Sequence, residues 1–328
     1  NRNNIIEKFG GPDKAFFARD DEINRLTGLT TGEKAAIKDK SLGRAYGIIN
    51  ECRENGFRIL TLNDAEYSER LKNIFDPPIV LYIKGCLPVI DEEVVVAVVG
   101  TRRATSYGVK SAERIGYEIA KGGGVVTTGL AKGIDSAAAR GALRAGGKVI
   151  GVLGCGLDVV YPAENKDLYK EVCANGCLIS EYPPGTMPVG KNFPVRNRIM
   201  SGISLGAVII EAPAKSGALI TAARALEQGR DVFALPGNVD SPSCAGSNAL
   251  LKEGAIAVTC GMDIIDEYIH LYPDKIRPVS YADEDERVGK VHKKPAKNQL
   301  TEDKNGQKTA KKQIDNRQEV AYIELLTK

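Results

Sequence analysis

The chain has 328 residues, with 45 Lys and Arg against 42 Asp and Glu for a net charge of +3, and 43% of it is hydrophobic. That is ample apolar material for the core of one large domain or two smaller ones, and the near-neutral balance means that a polyanion partner must be argued from where the basic residues sit. No apolar run reaches the roughly 18 to 20 residues of a membrane span. The strongest run, 94–99, is broken by Gly100 and then by Arg102 and Arg103, so no membrane partner is expected. The chain shows no basic start followed by an apolar stretch and a small-residue cleavage site, so the reading carries no signal peptide and a cytoplasmic setting. Seven cysteines scattered from Cys52 to Cys260 lack the paired spacing of a disulfide scaffold or zinc ribbon. Cys173 and Cys177, with no nearby His, do not complete a metal shell, and neither a metal nor a cofactor is expected.

Residues 1–73 read as a small helical domain, with Ile5, Ile6 and Phe9, then Ile23 and Leu26, then Ile48, Ile49 and Cys52 at helix-like spacing. Within it, Leu26-Thr27-Gly28-Leu29-Thr30 reads as an ordinary helix–helix turn. After the Pro77-Pro78 stop, 79–83 reads as a strand leading into a second domain over 74–272. From residue 94, β-branched runs near 94–99, 124–128, 148–153, 177–180, 207–211, 231–235 and 255–258 alternate with helical stretches. Runs apolar at successive positions indicate strands covered on both faces, hence a doubly wound α/β fold with a mostly parallel sheet. Residues 273–316, acidic over 283–286 and then rich in Lys, Gln and Asn, read as a disordered linker. Val320, Ile323, Leu325 and Leu326 suggest that 317–328 begins a further helix.

In an open α/β sheet, ligands bind beyond the carboxyl ends of the strands, where glycine turns and helix N-termini present free N–H groups. The first strand of the sheet ends Gly100-Thr101-Arg102-Arg103, with Thr105 or Ser106 placed to cap the next helix. The second ends in Gly129 and Gly133 bracketing Lys132, followed by Asp135, first of all a capping acid. The third runs through Tyr161-Pro162 to Lys166, and the fourth through Glu181 and Tyr182 to Lys191, Phe193, Arg196, Asn197 and Arg198. Basic groups from four strand ends should converge on one rim, interleaved with Tyr107, Tyr161, Tyr182 and Phe193. Cations that track phosphates and aromatic faces that take unstacked bases are what a single nucleic-acid strand needs. Gly100, Gly129, Gly133 and Ser106 are read as a phosphate cradle, although tight turns require such glycines with or without a ligand. Glu181 and Glu211, at strand ends, are read with Asp135 as acids that brace loops or pair with the arginines.

The absences point away from an enzyme. The two histidines, His270 and His292, lie after the last strand and in the linker, so no His-based triad can be built in the cleft. Gly154-Cys155-Gly156 lacks the third glycine of a dinucleotide fingerprint, and Ala214-Lys215-Ser216 lacks the glycines of a phosphate loop.

Five ordered blocks, VVGTRRATSYG (98–108), TGLAKGIDSAAARGAL (128–143), GCGLDVVYPAENKDLY (154–169), SEYPPGTMPVGKNFPVRNRIMSGIS (180–204) and EAPAKSGALITAARALEQGRDVFALPGN (211–238), resemble the DNA-processing protein A (DprA/Smf) family. The resemblance implies a Rossmann-like core, a sterile-alpha-motif-like domain over 1–73 and the start of a winged-helix domain at 317–328. It implies a cytoplasmic homodimer that binds single-stranded DNA, protects incoming strands in natural transformation, loads the recombinase RecA and meets single-strand-binding protein. The family's DNA cleft corresponds here to Arg102 and the loops around Lys166 and Lys191. The chain departs from many relatives at Ala139, where they carry a histidine, and from some at Ala163 and Gly190, where those carry lysines. A nucleotide-binding sensor is the competing reading, since glycine turns and helix N-termini bind any phosphate.

Overall fold

The computed structural model describes residues 2–277. Residues 273–277, expected to open the disordered linker, instead pack on the sheet domain, with Ile276 buried in the main core and Arg277 N donating to Gly122 O at 2.9 Å; the rest of the linker expected to 316 and the helix expected over 317–328 lie outside the described residues. Four short helices open the chain: α1 (Arg2–Phe9), α2 (Pro12–Phe17), α3 (Asp20–Arg25) and α4 (Thr31–Lys38). They share a small core of Ile5, Ala15, Ala18, Ile23 and Ile37. A reciprocal cap starts α4. The Thr30 hydroxyl accepts from Glu33 N at 3.2 Å and the Glu33 carboxylate accepts from Thr30 N at 2.7 Å, which satisfies two N–H groups that the helix itself cannot.

The helical unit expected over 1–73 ends earlier than its sequence suggests. Helix α5 (Gly43–Glu54) puts Ala45, Ile48, Ile49 and Cys52 into the main core. Strand β1 (Arg58–Thr61) then pairs antiparallel with β2 (Val80–Gly85), flanking the short α6 (Glu69–Lys72). Residues 43–73 therefore belong to the sheet domain, because their apolar side chains are buried there.

The rest alternates: β3 (Val95–Val99), α7 (Ser106–Lys121), β4 (Val125–Thr128), α8 (Ile134–Arg144), β5 (Val149–Leu153), α9 (Lys166–Asn175), β6 (Gly176–Ser180), α10 (Asn192–Ile203), β7 (Gly206–Ile209), α11 (Gly217–Glu227), β8 (Asp231–Ala234), α12 (Ala245–Lys252), β9 (Ile256–Ala257) and α13 (Gly261–Asp266). The strands form one nine-stranded sheet in the order β1-β2-β6-β5-β4-β3-β7-β8-β9. Pairings from β6 through β9 are parallel, and only β1–β2 and β2–β6 are antiparallel.

The alternation of side chains along β3 divides the core in two. Val96 and Val98 face a layer containing Ile115 and Ile119 of α7 and Ala138 of α8, while Val95, Ala97 and Val99 face Ile199, Met200 and Ile203 of α10 and Ala222 of α11. Each fully buried Val or Ile contributes roughly 1.5 to 3 kcal/mol, so the five buried positions of β3 anchor both layers. Beyond β3 the chain winds to β4, β5 and β6 on one side and to β7, β8 and β9 on the other. The order reverses between β3 and β7, and the helices that diverge there leave a crevice at the carboxyl ends of the two strands.

Candidate nucleic-acid interface

A cleft of about 340 Å³ occupies that crevice, lined by the residues after β3, by Ala131 and Asp135, by the first turns of α10 and by 215–221 at the start of α11. The loop after β3 is held from below by Glu211. The Glu211 carboxylate accepts from Thr105 N at 3.0 Å and the Thr105 hydroxyl at 3.1 Å, and its backbone carbonyl accepts from Thr101 N at 2.7 Å. Thr105 is the N-cap of α7, accepting from Gly108 N at 3.2 Å, and Ser106 is the first helical residue. With its backbone fixed, the loop turns Arg102 and Arg103 out to solvent. The Arg102 guanidinium lies 5.0 Å from the centroid of the Phe193 ring, which is 5.5 Å from that of Tyr161 at a 31° tilt. Phe193 is thus engaged by both neighbours, and Tyr161, 39% exposed, is the member of this stack most open to a base. The other two rings are tethered. Tyr107 donates its hydroxyl to Pro236 O at 2.9 Å, and Tyr182 reaches Asn192 O at 3.5 Å.

The loop after β4 is built differently. Gly129 N and Ala131 N donate to one oxygen of Asp135, at 3.1 and 3.4 Å. Leu130 between them has φ +50°, and Asn165 Nδ2 donates to its carbonyl at 2.9 Å. Gly133, with φ +80°, caps α8 in a conformation that other residues rarely adopt. The phosphate-cradling role expected of Gly129 does not fit this geometry, because its N–H is spent on Asp135. Its lack of a side chain serves packing: a Cβ there would fall 2.4 Å from Arg196 Nη2. Gly100 does line the cleft.

Arg196 is the largest departure from the expected rim. It is only 4% exposed, donates through Nη1 to Val152 O and through Nε to Asn197 Oδ1 at 3.2 Å, and forms the floor of the cleft. Burial lowers the pKa of its guanidinium, and the carboxylate of Asp135 is the chief influence opposing that. Burial likewise raises the carboxyl pKa of Asp135, opposed first by Arg196 and then by the donated N–H groups. Asp135 thus holds the loop after β4 and Arg196 the end of β5, each charge lowering the cost of burying the other. Asn197 is also buried, its Nδ2 directed at Gly217 O at 3.5 Å, so it ties α10 to α11.

Arg198 points away from the cleft. It donates to Glu181 at 2.7 Å and to Asp76 at 3.4 Å, with its own and Glu181's side chains 11% and 14% exposed. Burial lowers its pKa, but the two carboxylates outweigh that and raise it. Arg198 is therefore a brace between α10, the end of β6 and the segment before β2, and not a rim cation. Lys132 is exposed but ion-paired to Glu164. Lys166, the first residue of α9, and Lys191, just before α10, are exposed, as is Arg103, and none of these makes an ion pair with another described residue. Lys215, exposed at the mouth of the cleft, was not among the expected contacts. It follows the end of β7, so the rule of looking past every strand end points to it. Among the described residues, no group of three or more His, Cys, Asp or Glu is placed to hold a metal ion, and no helix is long and apolar enough to cross a membrane.

The family model of DNA recombination-mediator protein A matches residues 58–269, beginning at the first residue of β1. The chain belongs to that family. It is 40% identical over 220 residues to the DNA processing protein DprA of Bacillus subtilis, covering 67% of this chain and 74% of that protein. To the DprA of Streptococcus pneumoniae it is 43% identical over 214 residues, covering 65% and 74%. The solved S. pneumoniae DprA structure superposes with a TM-score of 0.64 at 36% identity, covering 78% of this chain and 95% of that one. DNA processing protein A from Helicobacter pylori, solved for its single-stranded DNA binding mode, superposes at 0.59 with 31% identity, covering 66% and 98%. The Rossmann-like core is therefore that of a DNA-processing family.

Proposed function

We propose that this chain binds single-stranded DNA along the rim of the cleft without reading its sequence. The observation that carries the reading is the Arg102–Phe193–Tyr161 stack, set beside exposed cations at Arg103, Lys166, Lys191 and Lys215 that make no ion pair with a described acid. The H. pylori relative's binding mode supports it. Lysine and arginine neutralise phosphates wherever the backbone passes, and an open ring face takes any base, so affinity arises with little sequence preference. A duplex, whose bases are already stacked inside, would gain only the phosphate contacts.

No bond needs to be made or broken in this reading. The chain would shield a strand in the cytoplasm, act as a homodimer that offers two rims to one strand, and pass that strand to RecA in exchange for single-strand-binding protein. The test is binding of labelled single- and double-stranded oligonucleotides across a salt series, by the wild type and by a variant with Arg102, Lys166 and Lys191 changed to Ala. A single-strand preference with a steep salt slope, lost in the variant, is the expected result. Equal, weak binding by both proteins would remove the rim from consideration.

A further inference from the structure

We infer that the outer face of the α7–α8 pair is a second phosphate track, which carries a bound single strand onward from the rim at Arg103. The inference rests on the single-strand reading above and extends it to a surface outside the cleft. The head of the pair is at the rim. Ile134 N, at the start of α8, donates to Thr101 O at 3.3 Å, so the loop bearing Arg102 and Arg103 leads into α7 and touches the first turn of α8. From there glycines set the spacing of the helices. A side chain at Gly116 of α7 would strike Ala138 O, and one at Gly141 of α8 would strike Glu113 O. The two backbones therefore approach closely, and the long side chains beside the contact share one outer face.

Lys110, Arg114, Tyr117 and Lys121 recur at i, i+4, i+7 and i+11 along α7, which is one stripe of a helix, and Arg140 and Arg144 are exposed one turn apart on α8. Lys110 and Lys121 are about 16 Å apart at 1.5 Å per residue. That is the reach of roughly three to five phosphates, the larger number for a strand kept stacked at about 3.4 Å per phosphate. The acids of this face are Glu113 and Glu118. Glu113 pairs with Arg144, while Glu118 lies 3.8 Å from Arg114 and accepts from Gly261 N. Lys110, Lys121 and Arg140 make no ion pair with a described acid. Tyr117 organises two of the cations, with the Arg144 guanidinium 5.5 Å and Lys121 Nζ 5.7 Å from its ring centroid. Unlike Tyr161, this ring is already engaged by two charges, so the face offers phosphate contacts without a platform for a base. Continuity with the rim at Arg103 favours a nucleic-acid strand over an acidic protein segment.

The test measures binding of oligothymidylates of about 6, 10 and 20 nucleotides, which bracket the footprint of roughly 4 to 16 nucleotides seen for single-strand sites. The proteins are the full chain and a Lys110→Ala, Lys121→Ala, Arg140→Ala variant, each across a salt series. The wild-type salt slope should steepen with length. The variant should match it on the shortest oligonucleotide and fall short by about two units on the longest, at about 0.7 per phosphate contact. Equal slopes of both proteins on the longest oligonucleotide, or a loss of the same size at every length, would overturn the track. So would polyglutamate or a blunt duplex that the wild type holds as tightly as the longest oligonucleotide and the variant does not, because the face would then serve another partner. If no oligonucleotide of any length binds, the single-strand reading falls and takes the track with it. If the shortest binds normally and only the effect of length is missing, the rim stands and the track alone falls.

Discussion

The loops after β3 and after β4 share a glycine-and-cation sequence, yet the structure uses them in opposite ways. In the loop after β4, Asp135 takes the N–H groups of Gly129 and Ala131, Asn165 occupies the Leu130 carbonyl, and the one cation, Lys132, is neutralised by Glu164. The loop after β3 has its backbone tied down by Glu211 through Thr101 and Thr105, which leaves Arg102 and Arg103 as exposed charges. One loop spends its polar groups on itself and is scaffold. The other is tied down through its backbone and its two threonines and leaves its arginines exposed. A glycine next to a cation therefore says little until the destinations of its N–H groups are known.

The largest effect should come from breaking the closed loop. Asp135→Ala would leave the N–H groups of Gly129 and Ala131 without their acceptor and remove the carboxylate whose field offsets the burial of Arg196. Leaving a buried N–H without its acceptor costs about 1–3 kcal/mol for each group. The expected outcome is a matching fall in stability by urea denaturation with an unchanged m-value. A loss below about 1 kcal/mol, the level of an exposed pair, would show that the loop is held by something else.

The parallel strands were legible because successive apolar residues can only be covered on both faces, as Val95 through Val99 are. Strand β1 was not. Arg58-Ile59-Leu60-Thr61 is four residues long, partly exposed, and follows a helical stretch whose period masks it. Its place in the sheet depends on β2, a partner about twenty residues away. The fate of Arg196 was legible in principle. It shares a helix face with Ile199, Met200 and Ile203, at i+3, i+4 and i+7, and that face is buried. Reading the charge without the periodicity placed it on the surface. Glu181 was expected to brace a loop or pair with an arginine and meets Arg198, but nothing in the local sequence brings Asp76 to the same guanidinium, because that acid arrives from the segment before β2.

The open side of the comparison predicts effects on binding and not on folding. The triple Arg102, Lys166 and Lys191 variant should fold normally and lose about two units of the salt slope, since each neutralised phosphate of a single strand contributes about 0.7. A full slope in the variant would place the strand elsewhere. Tyr161→Ala should come next, weakening oligonucleotide affinity by about 1–3 kcal/mol, the range for one stacked base, with the salt slope unchanged. A changed slope with unchanged low-salt affinity would mean that Tyr161 only positions its neighbours.

The smallest effect should come from opening what the closed loop keeps shut. Lys132 would be a further rim cation were it not for Glu164, whose carboxyl is held below its ordinary pKa chiefly by the hydrogen bond from Lys132. Both side chains are exposed, so the pair adds little to stability, but it withholds one positive charge from a passing phosphate. Glu164→Gln should therefore steepen the salt slope by about 0.7 and tighten single-strand binding slightly. Because the folded pKa is lowered, the carboxylate persists below the ordinary range, and the pair is lost only as pH falls through that lowered value. The wild type should then converge on the Gln variant at the acid end of a pH series and differ from it at neutrality. Identical slopes at neutral pH would mean that the strand does not pass Lys132, confining the rim to the stretch from Arg102 and Phe193 to Lys191.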